Sequence, residues 1–377
     1  MAKVEIRPVR SRRDLKRFVK VPFHLHRDRP QWVPPPIFER MQFLDRGKNP
    51  WFEHGEAEYF LAERDGEPVG RITAQIDRAW DEYRGGSDGM FGFFETVDDS
   101  AVAAALLGAA ESWLAERGRG RLLGPMDFTT NDEVGVLIEG FELQPMILQN
   151  WHPPFYKDLL EGLGYGKAMD LLMWYLELGQ LKEGDQFAPE IHAAAAKALR
   201  DEGIAIRNID KSNLRNEMRR FSEVYNEAWA DNWGFVPATD AEIEFHAKIL
   251  KQVIDEDWAF IAEKDGETVG VAFTLPDVNQ ALVRMRGRML PFGWLRFLLA
   301  KRKIDRVRVF ALGVTHDFRH SGVAAGLYLK HLEAASPEGV PAGEMGWILE
   351  TNEPMNRAME GMGGTVVKRY RIYEKTL

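Results

Sequence analysis

The hydrophobic and polar positions of the chain follow one pattern twice. Residues 60–70 read FLAERDGEPVG and residues 260–270 read FIAEKDGETVG, a displacement of 200 positions. In each copy a short apolar run ends in Asp-Gly and a second run follows, which is typical of a β-hairpin with a type I′ turn. The Ile-Arg pairs that begin at Ile6 and Ile206 keep the same displacement. The repeat is far too long for a solenoid and therefore predicts a duplicated domain.

Outside the hairpins, apolar runs and helical periodicity predict short strands that alternate with helices. In the first half, a buried strand at 91–94 precedes an Ala-rich helix at 101–118. The second half continues with a strand at 306–314, a helix at 322–335, a strand at 344–350, a helix at 353–362 and a strand at 365–373. A polar stretch near residue 180 separates the halves, so we expect domains over 1–180 and 181–377. The predicted fold class is mixed α/β (α+β), each domain being a mostly antiparallel twisted sheet flanked by helices.

Composition narrows the classes of function. The 377 residues are 45% apolar and 28% charged, as expected for globular domains. A net charge of −9 argues against a nucleic-acid partner, because nucleic-acid affinity comes largely from clustered cations. The chain contains no cysteine, which excludes disulfides and a covalent thioester to the protein. The first residues are charged and lack the apolar core of a secretory signal, so we expect a cytoplasmic protein.

The strongest chemical signal lies where the strand ending at Val314 gives way to a helix. The intervening run Arg319-His-Ser-Gly322-Val-Ala324 has the form R-x-x-G-x-A. A loop that opens a helix presents backbone N–H groups and the positive end of the helix dipole to an anion. Gly322 lets the backbone approach a phosphate closely, and Ala324 adds no bulk there. The run therefore predicts a pyrophosphate site.

The context of this run carries a family resemblance. A strand ending at Val314, the R-x-x-G-x-A run, a strand ending at Glu350, and Asn352 before a helix that leads to Gly363 resemble the GNAT superfamily of acyl-CoA-dependent N-acyltransferases. The resemblance implies two neighbouring strands that splay apart to admit the pantetheine arm, and acetyl-CoA or acyl-CoA as a co-substrate that is not permanently bound. It implies that the following residues bind coenzyme A: Val314, Arg319, His320, Ser321, Gly322, Val323, Ala324 and Asn352.

Only the second half has this signature. After the corresponding strand, the first half reads ETVDDSAV, which lacks R-x-x-G-x-A. Asp98 and Asp99 stand there instead, and their carboxylates would repel a phosphate. We therefore expect a degenerate first GNAT-like domain that shapes the acceptor side, and a second that binds acyl-CoA.

Transfer of an acyl group to an amine needs a base or water chain and a donor that polarises the thioester carbonyl. The backbone N–H near Val314 is the candidate donor. His316 follows the strand and Glu350 ends the adjoining strand, so these two residues are the candidate bases.

A proton donor for the departing thiolate is harder to place. Aligning Asn352 and Gly363 with the family pattern puts Met359 where many members have a tyrosine, and a methionine cannot donate a proton. Tyr328, Tyr370 and Tyr373 are nearby in the sequence, and we take Tyr328 as the candidate acid. Met359 also leaves open a non-catalytic acyl-CoA-binding module.

Candidate acceptor-binding residues lie in segments rich in polar and aromatic side chains. In the first half these segments are interpreted as loops, and the second contributes a Trp-rich segment before a glycine. The predicted substrate-binding residues are Asn131, Glu133, His152, Tyr156 and Trp233. The histidines lack the spacing of a metal site, so no metal is expected.

An unusual insertion at 284–306 combines a dense apolar block at 289–299 with basic flanks. It is typical of an interfacial element that meets anionic lipid, which would place the protein peripherally at the inner membrane face. It equally fits a helix packed on the first domain.

The acceptor is therefore a small-molecule or lipid amine. A lipid-facing insertion in a GNAT-like protein favours long-chain acylation of a lipid or sphingoid amine as an alternative to acetylation. Tandem proteins of this general appearance are similar to the bacterial ceramide synthases, a similarity that rests on no single motif. A Fem-like aminoacyl transferase that uses charged tRNA is a further alternative, and the negative net charge weighs against it.

Overall fold

The structure, a computed structural model, describes residues 3–177, 189–338 and 342–377. The chain forms two compact units. Unit 1 comprises Met1–Leu171, Asn279–Ala300 and Lys368–Leu377, and unit 2 comprises Leu172–Val278 and Lys301–Val367. Each unit takes residues from both halves of the sequence. The division at residue 180 describes the sequence repeat and stays a prediction.

Strands and helices alternate along the described residues. The strands are β1 Glu5–Pro8, β2 Gly55–Arg64, β3 Glu67–Asp77, β4 Asp88–Thr96, β5 Arg121–Gly124, β6 Val136–Glu139, β7 Gly166–Glu177, β8 Ala205–Asn208, β9 Ala259–Lys264, β10 Glu267–Pro276, β11 Arg306–Val314, β12 Ala342–Leu349 and β13 Thr365–Thr376. The helices are α1 Arg12–Leu25, α2 Ile37–Phe43, α3 Arg78–Arg84, α4 Ser100–Ala115, α5 Phe155–Gly162, α6 Pro189–Ala196, α7 Leu214–Ala228, α8 Asp240–Leu250, α9 Asn279–Met285, α10 Gly293–Lys301, α11 Val323–Glu338 and α12 Glu353–Gly361.

In unit 1 the strands lie in the order β1-β2-β3-β4-β5-β13. The first three pairings are antiparallel and β4 pairs with β5 in parallel. The last strand of the chain, β13, pairs antiparallel with both β5 and β6. The sheet of unit 1 is thus completed by residues from the far end of the sequence.

Unit 2 repeats this arrangement with β8-β9-β10-β11-β12. Again the first three pairings are antiparallel, and the last, β11 with β12, is parallel. Order and strand direction therefore match unit 1, as a duplicated domain requires. The predicted fold class, mixed α/β with mostly antiparallel pairing, is confirmed.

The repeated Asp-Gly pairs form two-residue turns in both units. Asp65 and Gly66 have φ of 53° and 82°, and Asp265 and Gly266 have 51° and 87°. Positive φ at both central residues defines a type I′ turn, which confirms the predicted hairpins.

The glycine that ends each repeated stretch has a packing role. A Cβ on Gly70 would lie 2.7 Å from Leu106 Cδ1 of α4, and one on Gly270 would lie 2.8 Å from Val323 Cγ1 of α11. Because hydrogen is the only side chain that fits, each helix packs directly on its sheet.

Candidate active site

In unit 2, the parallel strands β11 and β12 pair only over their first residues. The pairing of β11 with β12 runs from Arg306–Ala342 to Val309–Met345. Beyond that pair, β11 continues to Val314 and β12 to Leu349. The register of β11 against β10 also shifts here, since Phe273 faces Ala311 while Thr274 faces Val309. Such a bulge bends a strand and re-aims its backbone groups, as expected where β11 leaves β12.

A buried arginine holds the two strands at the point of separation. Arg308 is 1% exposed and donates from Nε and Nη2 to the Gly346 carbonyl, at 3.2 and 2.9 Å. Its guanidinium lies 4.9 Å from the centre of the Trp347 ring. The side chain thus supplies hydrogen bonds to a carbonyl just past the last strand pair. Sequence reasoning missed Arg308, although a charged residue between apolar neighbours in a predicted strand was a visible signal.

The loop after β11 prepares the start of α11. Val314 is buried, whereas Arg319 and His320 are exposed. Ser321 donates from Oγ to the Phe318 carbonyl at 2.7 Å, which closes a tight turn. Helix α11 then begins at Val323.

The start of α11 presents donors that the helix itself does not satisfy. The first N–H groups of a helix have no partner within the helix. Gly322, immediately before α11, has no side chain to cap them. This end of the helix is therefore suited to an anion.

The packing of α6 gives a second reason for a glycine at position 322, which the sequence did not reveal. Its φ is 86°, and a Cβ there would lie 2.1 Å from the Ala194 carbonyl oxygen of α6. Helix α6 therefore packs against this glycine. A larger residue at 322 would disturb that packing, so such a variant cannot test phosphate binding by itself.

Two asparagines organise the end of β12. Asn352 caps α12, and its Oδ1 accepts from the Met355 N–H at 3.3 Å. Asn356 donates from Nδ2 to the Leu349 carbonyl at 3.0 Å and accepts from Trp174 Nε1 at 2.9 Å. Asn356 was missed because its role depends on Trp174, far away in the sequence.

Tyr328 reaches the helix on which the family tyrosine is replaced. Its hydroxyl donates to Met355 Sδ at 3.3 Å, and burial raises the pKa of Tyr328 to about 12. Met355 and Met359 are four residues apart on α12 and therefore share a face. A phenol from α11 thus lies against the face of α12 that presents methionine at 359.

The two predicted bases have different surroundings. His316 Nδ1 lies 3.3 Å from Glu227 Oε1, and Nε2 lies 3.5 Å from Asp231 Oδ2. His316 therefore faces the end of α7, with its side chain 41% exposed. Glu350 follows β12 directly, and its carbonyl accepts from Asn356 Nδ2 at 3.4 Å. Glu350 and Tyr328 thus both contact α12, whereas the His316 side chain contacts α7.

The predicted acceptor residues of unit 1 include a buried aromatic pair. The His152 and Tyr156 rings are 5.3 Å apart. Tyr156 donates to Glu95 Oε2 at 2.8 Å and accepts from the Thr96 N–H at 2.9 Å. The interpretation of this segment as a loop was wrong for Tyr156, which belongs to the first turn of α5.

The remaining predicted acceptor residues are more accessible. Glu133 accepts from Arg40 Nη1 at 2.8 Å, and the Asn131 N–H donates to Thr129 Oγ1 at 3.0 Å. Trp233 of unit 2 is half-buried between α7 and α8. Their roles in binding stay a prediction.

Unit 1 contains a charged network that sequence reasoning missed. Glu95 Oε2 lies 2.7 Å from His26 Nε2, and Glu95 Oε1 lies 3.7 Å from Arg71 Nη2. Burial acts to raise the pKa of Glu95, but His26 and Arg71 outweigh it and lower that pKa to about 2. Burial lowers the pKa of His152 to about 4. No local signal joins these residues, because they come from separate elements.

Among the described residues, no three side chains of the types that bind metals lie close enough to share an ion. In the same residues, no helix has both the length and the apolar character that crossing a bilayer requires.

Comparison with known proteins gives whole-chain similarities. No family model matches the chain. A protein named bacterial ceramide synthase from Caulobacter vibrioides (strain NA1000 / CB15N) is 38% identical over 100% of this chain and 98% of its own length. Protein YghO from Escherichia coli (strain K12) is 37% identical over 99% of this chain and 95% of its own length.

A solved structure supports the fold. A tandem GNAT protein from the clavulanic acid biosynthesis pathway matches with a TM-score of 0.57, covering 99% of this chain and 98% of its own. Sequence identity to it is 13%, so this likeness concerns the fold alone.

Proposed function

Because the chain belongs to the GNAT superfamily of acyl-CoA-dependent N-acyltransferases as a tandem member, we propose that unit 2 transfers a long acyl chain to a lipid or sphingoid amine. The similarity that carries this proposal is the 38% identity, over the whole chain, to a protein named bacterial ceramide synthase. In the reaction the amine nitrogen attacks the thioester carbonyl carbon. The C–N bond forms, the C–S bond breaks, the nitrogen loses a proton, and coenzyme A leaves as the thiol.

Coenzyme A itself would occupy the cleft of unit 2. We assign its pyrophosphate to the N–H groups at the start of α11, with the exposed Arg319 and His320 beside them. We assign its pantetheine arm to the space between β11 and β12, beyond Val309 and Met345. Unpaired strand backbone there offers hydrogen bonds to the amides of the arm.

Tyr328 is our candidate for the group that meets the departing sulfur. A thioether is a weak acceptor, so the bond to Met355 is readily exchanged for one to a thiolate. The raised pKa of Tyr328 keeps its hydroxyl protonated at neutral pH. Tyr328 thereby replaces from α11 the donor that Met359 cannot supply from α12.

Glu350 is our candidate base. It directly follows β12, beyond the point at which β12 separates from β11. A carboxylate there can accept the amine proton directly or through one water. His316 is the second candidate.

The experiment replaces Tyr328 by Phe, which removes only the hydroxyl. We expect kcat with a long-chain acyl-CoA and a sphingoid amine to fall by about a hundredfold, with acyl-CoA affinity unchanged. Adding Met359→Tyr to Tyr328→Phe returns a phenol to the same face of α12 and should restore part of kcat. An unchanged kcat in Tyr328→Phe would contradict the role of Tyr328.

The alternative of a non-catalytic acyl-CoA-binding module is motivated by Met359. It predicts retained acyl-CoA binding without turnover on any amine. Turnover with acetyl-CoA and small amines alone would instead remove the lipid acceptor and leave the transferase.

A further inference from the structure

The insertion that follows β10 belongs to unit 1 and is fixed there. The Ile37 N–H donates to the Gly287 carbonyl at 3.1 Å, and Asn279 donates from Nδ2 to the Pro145 carbonyl at 2.9 Å. Gly287 has φ of 72°, and a Cβ on it would lie 2.3 Å from the Phe23 ring. The segment 279–300 is therefore anchored at its beginning on the loop that follows β6 and at its middle on α1 and α2.

Beyond these anchors the segment exposes large apolar side chains. Leu290 is 76% exposed and Phe292 is 63% exposed. Of the eleven exposed large apolar residues among those described, eight lie on this segment or on α2 beside it. These eight are Phe38, Met289, Leu290, Phe292, Trp294, Leu295, Leu298 and Leu299. Contiguous apolar surface of this kind marks an interaction site, because water-facing surfaces rarely carry it.

The same surface is basic. A groove of about 640 Å³ runs between 287–290 and helices α1 and α2. Its lining includes five cationic residues and one carboxylate, that of Asp45. The cations are Arg12, Lys16, Lys20, Lys48 and Arg288. In the part of the chain that the structure describes, none of these five forms a salt bridge.

The local charge therefore opposes that of the whole protein. The chain carries −9 overall, yet this groove is strongly positive. Arg12, Lys16 and Lys20 are spaced by four residues along α1, so they form one stripe on its surface. A stripe of cations next to exposed Phe, Trp and Leu matches the chemistry of an anionic membrane surface. Headgroup phosphates attract the cations, and the interface accepts the apolar side chains.

We propose that this face of unit 1 docks on an anionic phospholipid bilayer through the apolar segment 289–299 and the basic groove beside it. The proposed function supplies only the reason for docking, because a lipid amine acceptor is found in a membrane. Docking itself is a property of unit 1 and is measurable without substrate.

The experiment is cosedimentation of the full chain with vesicles, either of phosphatidylcholine alone or with added phosphatidylglycerol. We expect binding to the anionic vesicles, at least tenfold weaker binding to neutral ones, and a loss of binding at high salt. The double variant Leu290→Ser/Phe292→Ser and the double variant Lys16→Glu/Lys20→Glu should each lower binding to anionic vesicles at least tenfold.

Matched controls use exposed positions of unit 2. Leu199→Ser/Ile249→Ser and Lys248→Glu/Lys251→Glu change the same chemistry elsewhere and should leave vesicle binding unchanged. All altered side chains are exposed or at the surface, and unchanged melting temperatures will confirm that the variants fold.

Two results would overturn the proposal. One is wild-type protein that stays in the supernatant with anionic vesicles at low salt. The other is loss of acyl-CoA affinity in the Lys16→Glu/Lys20→Glu variant without vesicles, because the groove would then bind acyl-CoA. Absence of turnover on lipid amines would affect the proposed function alone, since vesicle binding is scored without substrate.

Discussion

The two units share a sheet order but differ at the helix that follows the fourth strand of each. In unit 1, Asp99 caps α4, accepting from the Ala101 N–H at 2.9 Å and from Arg64 at 2.6 Å. The hydrogen bond from Arg64 lowers the pKa of Asp99, which keeps its carboxylate charged. In unit 2 the corresponding helix follows Gly322, which has no side chain. Unit 1 therefore satisfies its helix start with its own anion, whereas unit 2 has no such side chain directly before its helix.

The two units also differ beyond the last residue pair of their parallel strands, β4 with β5 in unit 1 and β11 with β12 in unit 2. In unit 1 the pairing of β4 with β5 ends at Met90–Leu123, although β4 continues to Thr96. The chain then folds back, and the Phe93 N–H donates to Asp127 Oδ1 at 2.7 Å. Burial and the neighbouring Glu133 raise the pKa of Asp127 to about 7. Side chains of unit 1 thus occupy backbone donors beyond the last strand pair.

A third difference lies where the first helix of each unit meets its sheet. His26 ends α1 and contacts Glu95, whereas Trp229 ends α7 and covers Gly313. A Cβ on residue 313 would lie 2.1 Å from the Trp229 ring. A contact between histidine and carboxylate fills this position in unit 1 and an aromatic ring fills it in unit 2. Duplication therefore preserved the order and direction of the strands, while the side chains at equivalent positions of the two units diverged.

The largest expected effect is on the ion pair of unit 1. Glu95→Gln removes the carboxylate while His26 and Arg71 remain buried. Leaving the buried Arg71 guanidinium without its counter-charge costs about 3–5 kcal/mol. We therefore expect the free energy of unfolding, measured with urea, to fall by about that amount.

The matched variant in unit 2 is Glu217→Gln. Its partner Arg207 is 35% exposed and keeps a second carboxylate, Glu263, at 2.9 Å. We expect a loss of about 1 kcal/mol, because a partly solvated cation needs its partner less. An equal decrease in the free energy of unfolding in both variants would mean that burial does not make the Glu95 network more stabilising than the Glu217 pair.

A further effect, common to both units, is expected from pH. Burial lowers the pKa of His152 in unit 1 and of His331 in unit 2 to about 4, from 6.5. Between these values the unfolded chain binds protons that the folded chain does not, so stability falls as pH falls from 6.5 to 4. Each histidine contributes up to about 3 kcal/mol to this loss. Glu95 adds its own loss only below pH 4.5, where its unfolded carboxyl binds a proton.

Chemical denaturation at several pH values measures this effect. His331→Gln keeps a group that can form a hydrogen bond with Thr274. It should remove the contribution of His331 to the pH dependence of the free energy of unfolding. His152→Gln should likewise remove the contribution of His152 to that pH dependence. A wild-type profile that stays level from pH 7 to 4.5 would argue against buried neutral histidines.

Local patterns predicted most of the scaffold. The Asp-Gly repeats fixed both hairpins, and the R-x-x-G-x-A run marked the start of α11, because each depends on neighbours in the sequence. The place of β13 in unit 1 and the anchoring of 279–300 on α1 and α2 were not predictable, since they rest on contacts between distant segments.

The candidate site was predicted in part for the same reason. Its loop is local, whereas the Tyr328–Met355 contact and the Arg308–Gly346 bonds need the assembled sheet. The network of Glu95 stayed hidden because its partners come from α1, β3 and α5. Tertiary proximity of this kind leaves no spacing that a single sequence displays.

We propose that one unit of the duplicated pair holds the acyl-CoA. Calorimetric titration with a long-chain acyl-CoA should give one site per chain. Arg319→Glu places a carboxylate beside the start of α11 and should weaken binding by about tenfold or more, since losing a charged contact costs about 1.5–3 kcal/mol. Asp99→Asn, the control at the start of α4, should leave affinity and stoichiometry unchanged. Two sites per chain, or weaker binding in Asp99→Asn with full affinity in Arg319→Glu, would contradict the assignment.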